Sequence, residues 1–304
     1  MSFNQDIALL RSLIEDFRPG TVRHWKSGDF VKQADGTWKL NSSPSAPTAT
    51  EQPATKFATS AKSTEDLYKQ GGKWSPERAK MHQNYVDRVS KNVPKSDVPT
   101  VYMTGGGPAA GKSKALLNNP KIGLPGKDKA VHADPDNAKE SIPEFTANKH
   151  LSDTSVATRV HEESAHMSQQ AIAAGLAASK DVVYDSSGDG GIDKLAAKVQ
   201  RIRDQGAKKV VAHYATVDID EAIRRSDARA LKEGRFVPHA YLRQVHRDVT
   251  RTFIGAVERG VYDNLDLWDT SAPGSPTHVA TYTKDDGLTV HDQKAWESFK
   301  KRGE

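Results

Sequence analysis

The sequence predicts an α/β domain with a mostly parallel sheet flanked by helices, preceded by a small N-terminal extension. Three observations predict it. From Val98 onward short apolar runs alternate with helical stretches, the pattern of successive strand–helix–strand units. The first run leads into Gly106-Gly107-Pro108-Ala109-Ala110-Gly111-Lys112-Ser113. That stretch fits G-x-x-x-x-G-K-[ST], the phosphate-binding P-loop, at a strand-to-helix junction. Acidic residues then follow the next two strands, where an open parallel sheet gathers its ligands.

Residues 1–40 read as a small separate element. Ile7, Leu10, Ile14 and Phe17 recur at helical spacing, and Trp25, Phe30, Val31 and Trp38 flank an Asp35-Gly36 turn that predicts a hairpin. Residues 41–63 are Ser, Thr, Ala and Pro with few large apolar groups. Such a stretch cannot bury enough surface to offset chain entropy and reads as a linker. Residues 64–304 form the main domain. It opens with a helix at Ser75-Pro76-Glu77, with Ser75 as N-cap and Pro76 at N1, continued by Met81, Tyr85 and Val89. Strands are predicted at 98–104, 130–134, 181–185 and 208–217. Helices are predicted at 112–118, 154–178, 191–205, 219–232 and 239–258. In the helix at 154–178, Val156, Val160, Met167, Ala171 and Ala174 share a face. Two short strands, 264–268 and 277–283, complete the reading.

A chain of 304 residues holds one large core or two modest domains. There is no cysteine, which excludes disulfides, thiolate nucleophiles and Cys zinc sites. No run approaches the roughly 18 apolar residues of a membrane span. The acid-containing N-terminus does not read as a signal peptide, so a cytoplasmic location is expected. The net charge of +5 permits anionic ligands. Without a dense Lys/Arg block and interleaved aromatics it argues against nucleic acid.

In a P-loop, small residues let backbone N–H groups close around phosphate oxygens at a helix N-terminus. Lys112 would reach the β- and γ-phosphates, and Ser113 would ligate Mg²⁺. After the second strand come Asp134 and Asp136, and after the third comes Asp185. These carboxylates could serve Mg²⁺ or accept a proton from an attacking hydroxyl, and each could equally be a helix N-cap. Arg224, Arg225, Arg229, Lys232 and Arg235 follow the fourth strand. Arginine there would stabilise a transferring phosphoryl group; the alternative is a solvated face paired with Glu221, Asp227 and Glu233. His161 and His166 lie five apart, turned roughly 140° from each other on a helix, which excludes a helical zinc pair. Glu163 reads as a substrate group or as a favourable acid in a first helical turn.

Together these residues resemble the zeta-toxin family of P-loop kinases, over about residues 75–283. GGGPAAGKS is similar to the family's loop. HADPDNAKESIPEF is similar to its second-strand signature through Asp136, Pro143 and Phe145. EAIRRSDARALKEGRFVP is similar to its arginine lid. The resemblance implies a P-loop kinase that phosphorylates the 3′-hydroxyl of UDP-N-acetylglucosamine with ATP or GTP and Mg²⁺, blocking cell-wall synthesis as a toxin. It implies Lys112 and Ser113 on phosphate and Mg²⁺, Asp136 as base, and Asp134 supporting Mg²⁺ or the base. It further implies Glu163 and Asp185 on the sugar nucleotide, and Arg225 and Arg235 on the transferring phosphoryl. The chain departs from the family at Asp185-Ser186-Ser187, at Lys139, and at Arg235-Phe236-Val237-Pro238. TVRHWKSGDFVKQADGTWKL resembles segments appended to phage structural proteins, which implies a phage or mobile-element source. An antitoxin, or restraint in cis by the N-terminal element, is the partner expected. The alternatives are a P-loop kinase of another small metabolite, or a nucleotide-binding virion or toxin–antitoxin protein.

Overall fold

Val101 and Met103, fully buried, lie on the strand from which the P-loop departs, and the sheet is laid out around them. The computed structural model describes residues 62–117, 119–147, 154–233, 237–272 and 274–304, and the backbone of three short strands before them. The chain divides into two compact units, Met1–Ser60 and Ala61–Glu304. In the first unit, β1 (Val22–Trp25), β2 (Gly28–Lys32) and β3 (Trp38–Leu40) form an antiparallel meander. Phe30 pairs with Leu40 and Lys32 with Trp38, so the hairpin expected around Asp35-Gly36 is present and β1 adds to it. The helical spacing at 7–17 lies outside the described residues, as does all but the end of the 41–63 stretch.

The second unit opens with α1 (Thr64–Tyr68), capped by Ser63, and a small hairpin, β4 (Lys69–Gln70) with β5 (Lys73–Trp74). Helix α2 (Pro76–Ser90) begins where Ser75 and Pro76 predict it, with the Ser75 hydroxyl accepting from the Arg78 N–H. The parallel strands follow: β6 (Thr100–Gly105), β7 (Val131–Ala133), β8 (Val182–Tyr184), β9 (Lys209–Thr216) and β10 (Asn264–Asp269). β11 (Thr277–Thr283) and β12 (Gly287–Val290) extend one side antiparallel. The order in space is β12-β11-β10-β9-β6-β8-β7. From β6 the chain first moves to the β7 side and later crosses to β9, so a topological switch point lies at β6.

Val131, Val182, Val101 and Val210 stand in register across β7, β8, β6 and β9, and all are fully buried. Helix α6 (His161–Ala177) lies close over this row because Gly175 carries no side chain. A Cβ there would come 3.1 Å from Val182 and 3.2 Å from Val131. Helices α7 (Ile192–Asp204) and α9 (His239–Glu258) follow β8 and β9, with α8 (Ile219–Glu233) between β9 and α9. Tyr214, Phe253, Trp296 and Phe299 form an edge-on aromatic column that joins β9, α9 and the last helix, α10 (Gln293–Arg302). Thr104, His213, Asp266 and Thr281 form a polar row in register across β6, β9, β10 and β11.

Three features differ from the sequence reading. The helix expected over 154–178 is two, α5 (Thr154–Arg159) and α6, broken at Val160. At the break the Thr64 hydroxyl takes the Arg159 carbonyl at 3.4 Å, giving that carbonyl a partner outside the helix. The turn after the P-loop, Lys112–Leu117, is wound as a π-helix rather than an α-helix, a form that recurs at functional sites. The β4–β5 hairpin, the short helices Pro135–Lys139 and Pro143–Ala147, β12 and α10 were not expected. Helix α10 buries Trp296 and Phe299, too sparse a pattern to announce itself, although Asp292 caps it by accepting from the Ala295 N–H at 2.9 Å.

Phe253 is fully buried with rings around it. Phe253→Ala should therefore cost about 3–5 kcal/mol of unfolding free energy, from lost burial and the cavity left behind. Urea denaturation of the two proteins measures it.

Candidate active site

β6 ends in Gly105, and no side chain fits at that residue or the next two. A Cβ on Gly105 would lie 2.3 Å from the Tyr214 ring, on Gly106 2.6 Å from the Ala215 carbonyl, and on Gly107 2.6 Å from the His246 ring. Gly106 also takes a φ of +137°, open to glycine and rarely to other residues. Burial pushes the Tyr214 phenol up to about 12, so a neutral ring supports the loop. The loop is tied on three sides. Gly106 N–H donates to Ser187 O at 2.8 Å. His246 Nε2–H donates to Pro108 O at 2.9 Å, and Thr270 Oγ1–H to Ala110 O at 2.9 Å. Ala109 sits at φ +59°, a left-handed conformation uncommon for a residue with a Cβ.

Lys112 and the end of β8 are brought together. The Lys112 ammonium donates to Ser186 O at 3.2 Å. Thr104, beside it on β6, donates its hydroxyl to Asp185 Oδ1 and accepts from the Ser186 N–H. Ser186 Oγ–H returns a bond to Thr104 O at 2.7 Å. Ser113 is the second residue of the π-wound turn and is exposed.

At the end of β7, Asp134 caps α3 (Pro135–Lys139), its Oδ1 accepting from the Asp136 N–H at 2.8 Å. Burial raises the Asp134 pKa, the backbone bond from Asp136 opposes it, and the negative charges of Asp185 and Asp136 raise it further. Asp134 and Asp185 thus share one electrostatic neighbourhood. Asp136 is exposed and pairs with Lys139 at 2.8 Å. Tyr85 of α2 donates to Asp134 O at 3.3 Å. Among the described residues no cluster of three or more His, Cys, Asp or Glu could hold a metal by itself.

Glu163 lies apart from the loop, in a charged cluster at the start of α6. It is fully buried, bonded through Oε1 to His82 Nε2 at 2.8 Å, with Arg78 at 3.5 Å. Its Oε2 and His82 Nδ1 have no hydrogen-bond partner among the described residues. Arg78 also pairs with Glu144 on α4 (Pro143–Ala147). Arg225 lies at the other side of the loop. Its Nε donates to Glu221 at 2.7 Å and its Nη1 to Thr270 Oγ1 at 3.1 Å, the same hydroxyl that holds Ala110. Hydrogen bonds from Arg224 and Arg225 hold the Glu221 carboxyl down to about 2. Arg235 lies outside the described residues.

A concavity of about 600 Å³ lies at the C-terminal end of α2 and is lined by Asn84, Asp87, Arg88, Lys91 and Lys180. None of the P-loop or strand-end residues borders it, so chemistry rather than cavity size locates the site. The sequence reading missed Thr104, Tyr214, His246 and Thr270, which set the loop's shape. His246 alone left a signal, as a polar residue beside the apolar stripe Leu242, Val245, Val249 and Phe253.

The zeta toxin family model matches residues 83–269. A search of curated proteins returns no match. Among solved structures, the chain is similar to the AvrRxo1-ORF1:AvrRxo1-ORF2 complex with sulphate ions, at 18% identity and a TM-score of 0.60, over 79% of this chain and 82% of that one. The same complex with ATP gives 16% identity and 0.58, again over 79% and 82%. A structure from the PezAT chromosomal toxin–antitoxin system of Streptococcus pneumoniae gives 11% identity and 0.56, over 76% and 96%. Likenesses at these identities establish the fold, an α/β sheet shared with P-loop kinases. With a family match over most of its length, the chain belongs to the zeta toxin family and is a P-loop kinase, a phosphotransferase.

Proposed function

We propose that the protein transfers the terminal phosphoryl group of ATP or GTP to the 3′-hydroxyl of UDP-N-acetylglucosamine, acting as a toxin on cell-wall synthesis. One observation carries the reading: Lys112 of the P-loop lies against the end of β8 at the switch point, with Asp134 sensing Asp185 from the end of β7. That is where an open parallel sheet gathers nucleotide and acceptor.

In this reading the loop Gly106–Gly111 wraps the β- and γ-phosphates and the amides of Gly107, Ala109 and Gly111 donate to them, while the Gly106 and Ala110 amides hold the loop's shape by donating to Ser187 O and Gly107 O. Lys112 leaves the Ser186 carbonyl for the phosphate. Ser113 and Asp134 hold Mg²⁺, which neutralises phosphate charge when bound. Asp136 accepts the proton of the attacking hydroxyl, its exposure giving it room to exchange Lys139 for substrate. Glu163 and Asp185 contact the sugar nucleotide. Arg225 and Arg235 stabilise charge on the phosphoryl oxygens. A nucleotide donor is supported by the similar fold named with ATP. An antitoxin partner is supported by the similar toxin–antitoxin structure. Among the described residues no helix is long and apolar enough to cross a membrane. Action in the cytoplasm on a sugar nucleotide is part of the proposal. Restraint in cis by the N-terminal unit is part of the proposal; deleting residues 1–63 should raise activity if it operates.

Mass spectrometry of protein with ATP, Mg²⁺ and UDP-N-acetylglucosamine should show a phosphorylated sugar nucleotide, absent with Lys112→Ala. If ATP is bound but no such product forms, the acceptor is another metabolite. Asp136→Asn should keep nucleotide affinity and lose about 100-fold or more in kcat; near-normal turnover would remove Asp136 as base.

The raised Asp134 pKa sets a pH dependence. The carboxyl keeps its proton to a higher pH than an ordinary Asp at ~3.9. Mg²⁺-supported activity should therefore fall on acidification from above that value. The same limb should be missing from the residual rate of Asp134→Asn, as pH–rate profiles of both proteins would show.

A further inference from the structure

A second positively charged concavity lies on the α9 side of the P-loop. Its volume is about 200 Å³, and Arg243, His246, Arg247, Lys301, Arg302 and Glu304 line it. No residue from Gly106 to Ser113 does so. Arg243, His246 and Arg247 come from adjacent turns of α9, the other three from the end of α10. That end is fixed: Arg251 Nε–H donates to Gly303 O at 2.6 Å and its Nη2–H to Glu304 O at 3.2 Å.

The cations of this pocket are poorly balanced. Arg302 is only partly exposed, and its Nη1 donates to neutral oxygens, Thr216 Oγ1 at 2.7 Å and Val217 O. Among the described residues Arg247 reaches the Gln244 amide oxygen alone, at 3.5 Å. Arg243 lies 3.5 Å from Asp220, a largely exposed carboxylate, and such pairs contribute little. Lys301 has no ion pair among the described residues. Asp218 and Asp269 act on Arg302 at longer range, and Glu304 is the acid in the lining. His246 senses the excess: burial lowers its pKa, the Pro108 carbonyl opposes, and the charges of Arg302 and Lys112 lower it further. Like charges gathered in a concavity repel unless an anion sits among them. Arginine forks match phosphate oxygens in particular.

We propose that this pocket is a second anion site, distinct from the P-loop cradle, which takes a pyrophosphate group between Arg243, Arg247, Lys301 and Arg302. His246 joins the two sites, since one ring lines the pocket and holds the Pro108 carbonyl. An occupant of the pocket therefore bears on the outer wall of the P-loop.

The test reads binding, independently of phosphoryl transfer. Inorganic pyrophosphate and UDP are titrated separately into Lys112→Ala protein, whose P-loop lacks its phosphate cation, and melting temperature is followed. Saturating ligand should raise it by about 3 °C or more. The rise should be lost when Arg247→Ala and Lys301→Ala are added. Both side chains are exposed, and unchanged far-ultraviolet circular dichroism would verify the fold. A shift with both ligands assigns recognition to the pyrophosphate group alone; a shift with UDP only assigns it to the diphosphate end of a nucleotide. No shift with either ligand, or an equal shift after the two substitutions, overturns the proposal.

Discussion

The site depends on a steric constraint: where β6 hands the chain to the loop, there is no space for a side chain. The Tyr214 ring, the Ala215 carbonyl and the His246 ring occupy the positions that three successive Cβ atoms would need. The glycines let the backbone itself approach its neighbours. Backbone that leaves the strand ladder in this way, ahead of a helical turn, is the kind of turn whose remaining N–H groups can receive an anion. Tyr214 also meets Gly188 beyond β8, where a Cβ would lie 2.5 Å from the phenol oxygen. One ring therefore spaces the P-loop from the loop that carries Asp185 and Ser186.

Charge at the strand ends is arranged with equal economy. Lys112 rests on a neutral carbonyl, so moving it to a phosphate breaks no ion pair. Asp185 is held by a hydroxyl rather than by a cation. Asp134 spends one oxygen on a helix cap while burial, and after it the charge of Asp185, raises its pKa. These groups keep a large part of their capacity to interact with a charged ligand. By contrast Glu163, Arg78 and His82 are bound to one another in a buried cluster, and a substrate reaching Glu163 must compete with those contacts.

Much of this was legible in the sequence. Helix α9 runs over the residues expected for it because Leu242, Val245, Val249, Phe253 and Ala256 give it an unbroken buried face. The P-loop was legible because its chemistry demands fixed residue types at fixed spacing. Its supports were not, since they reach across the chain: Thr270 meets Ala110 from 160 residues away and His246 meets Pro108 from 138. No local pattern marks such a pair. The break at Val160 was hidden for the same reason, because Thr64, 95 residues earlier, takes the freed carbonyl. The burial of Glu163 depends on α2, whose Arg78 and His82 look in sequence like ordinary surface residues of a polar helix.

The two ends of the large sheet have a further consequence. β7 contributes three residues and β12 four, and Lys284, Asp285 and Asp286 precede the latter. Edges this short, with charge beside one of them, offer few free backbone groups for another chain to pair with. Sheet-to-sheet polymerisation and strand addition are both discouraged at these two borders. A partner of this domain finds more to read in its helices, its loops and their side chains than at these two borders.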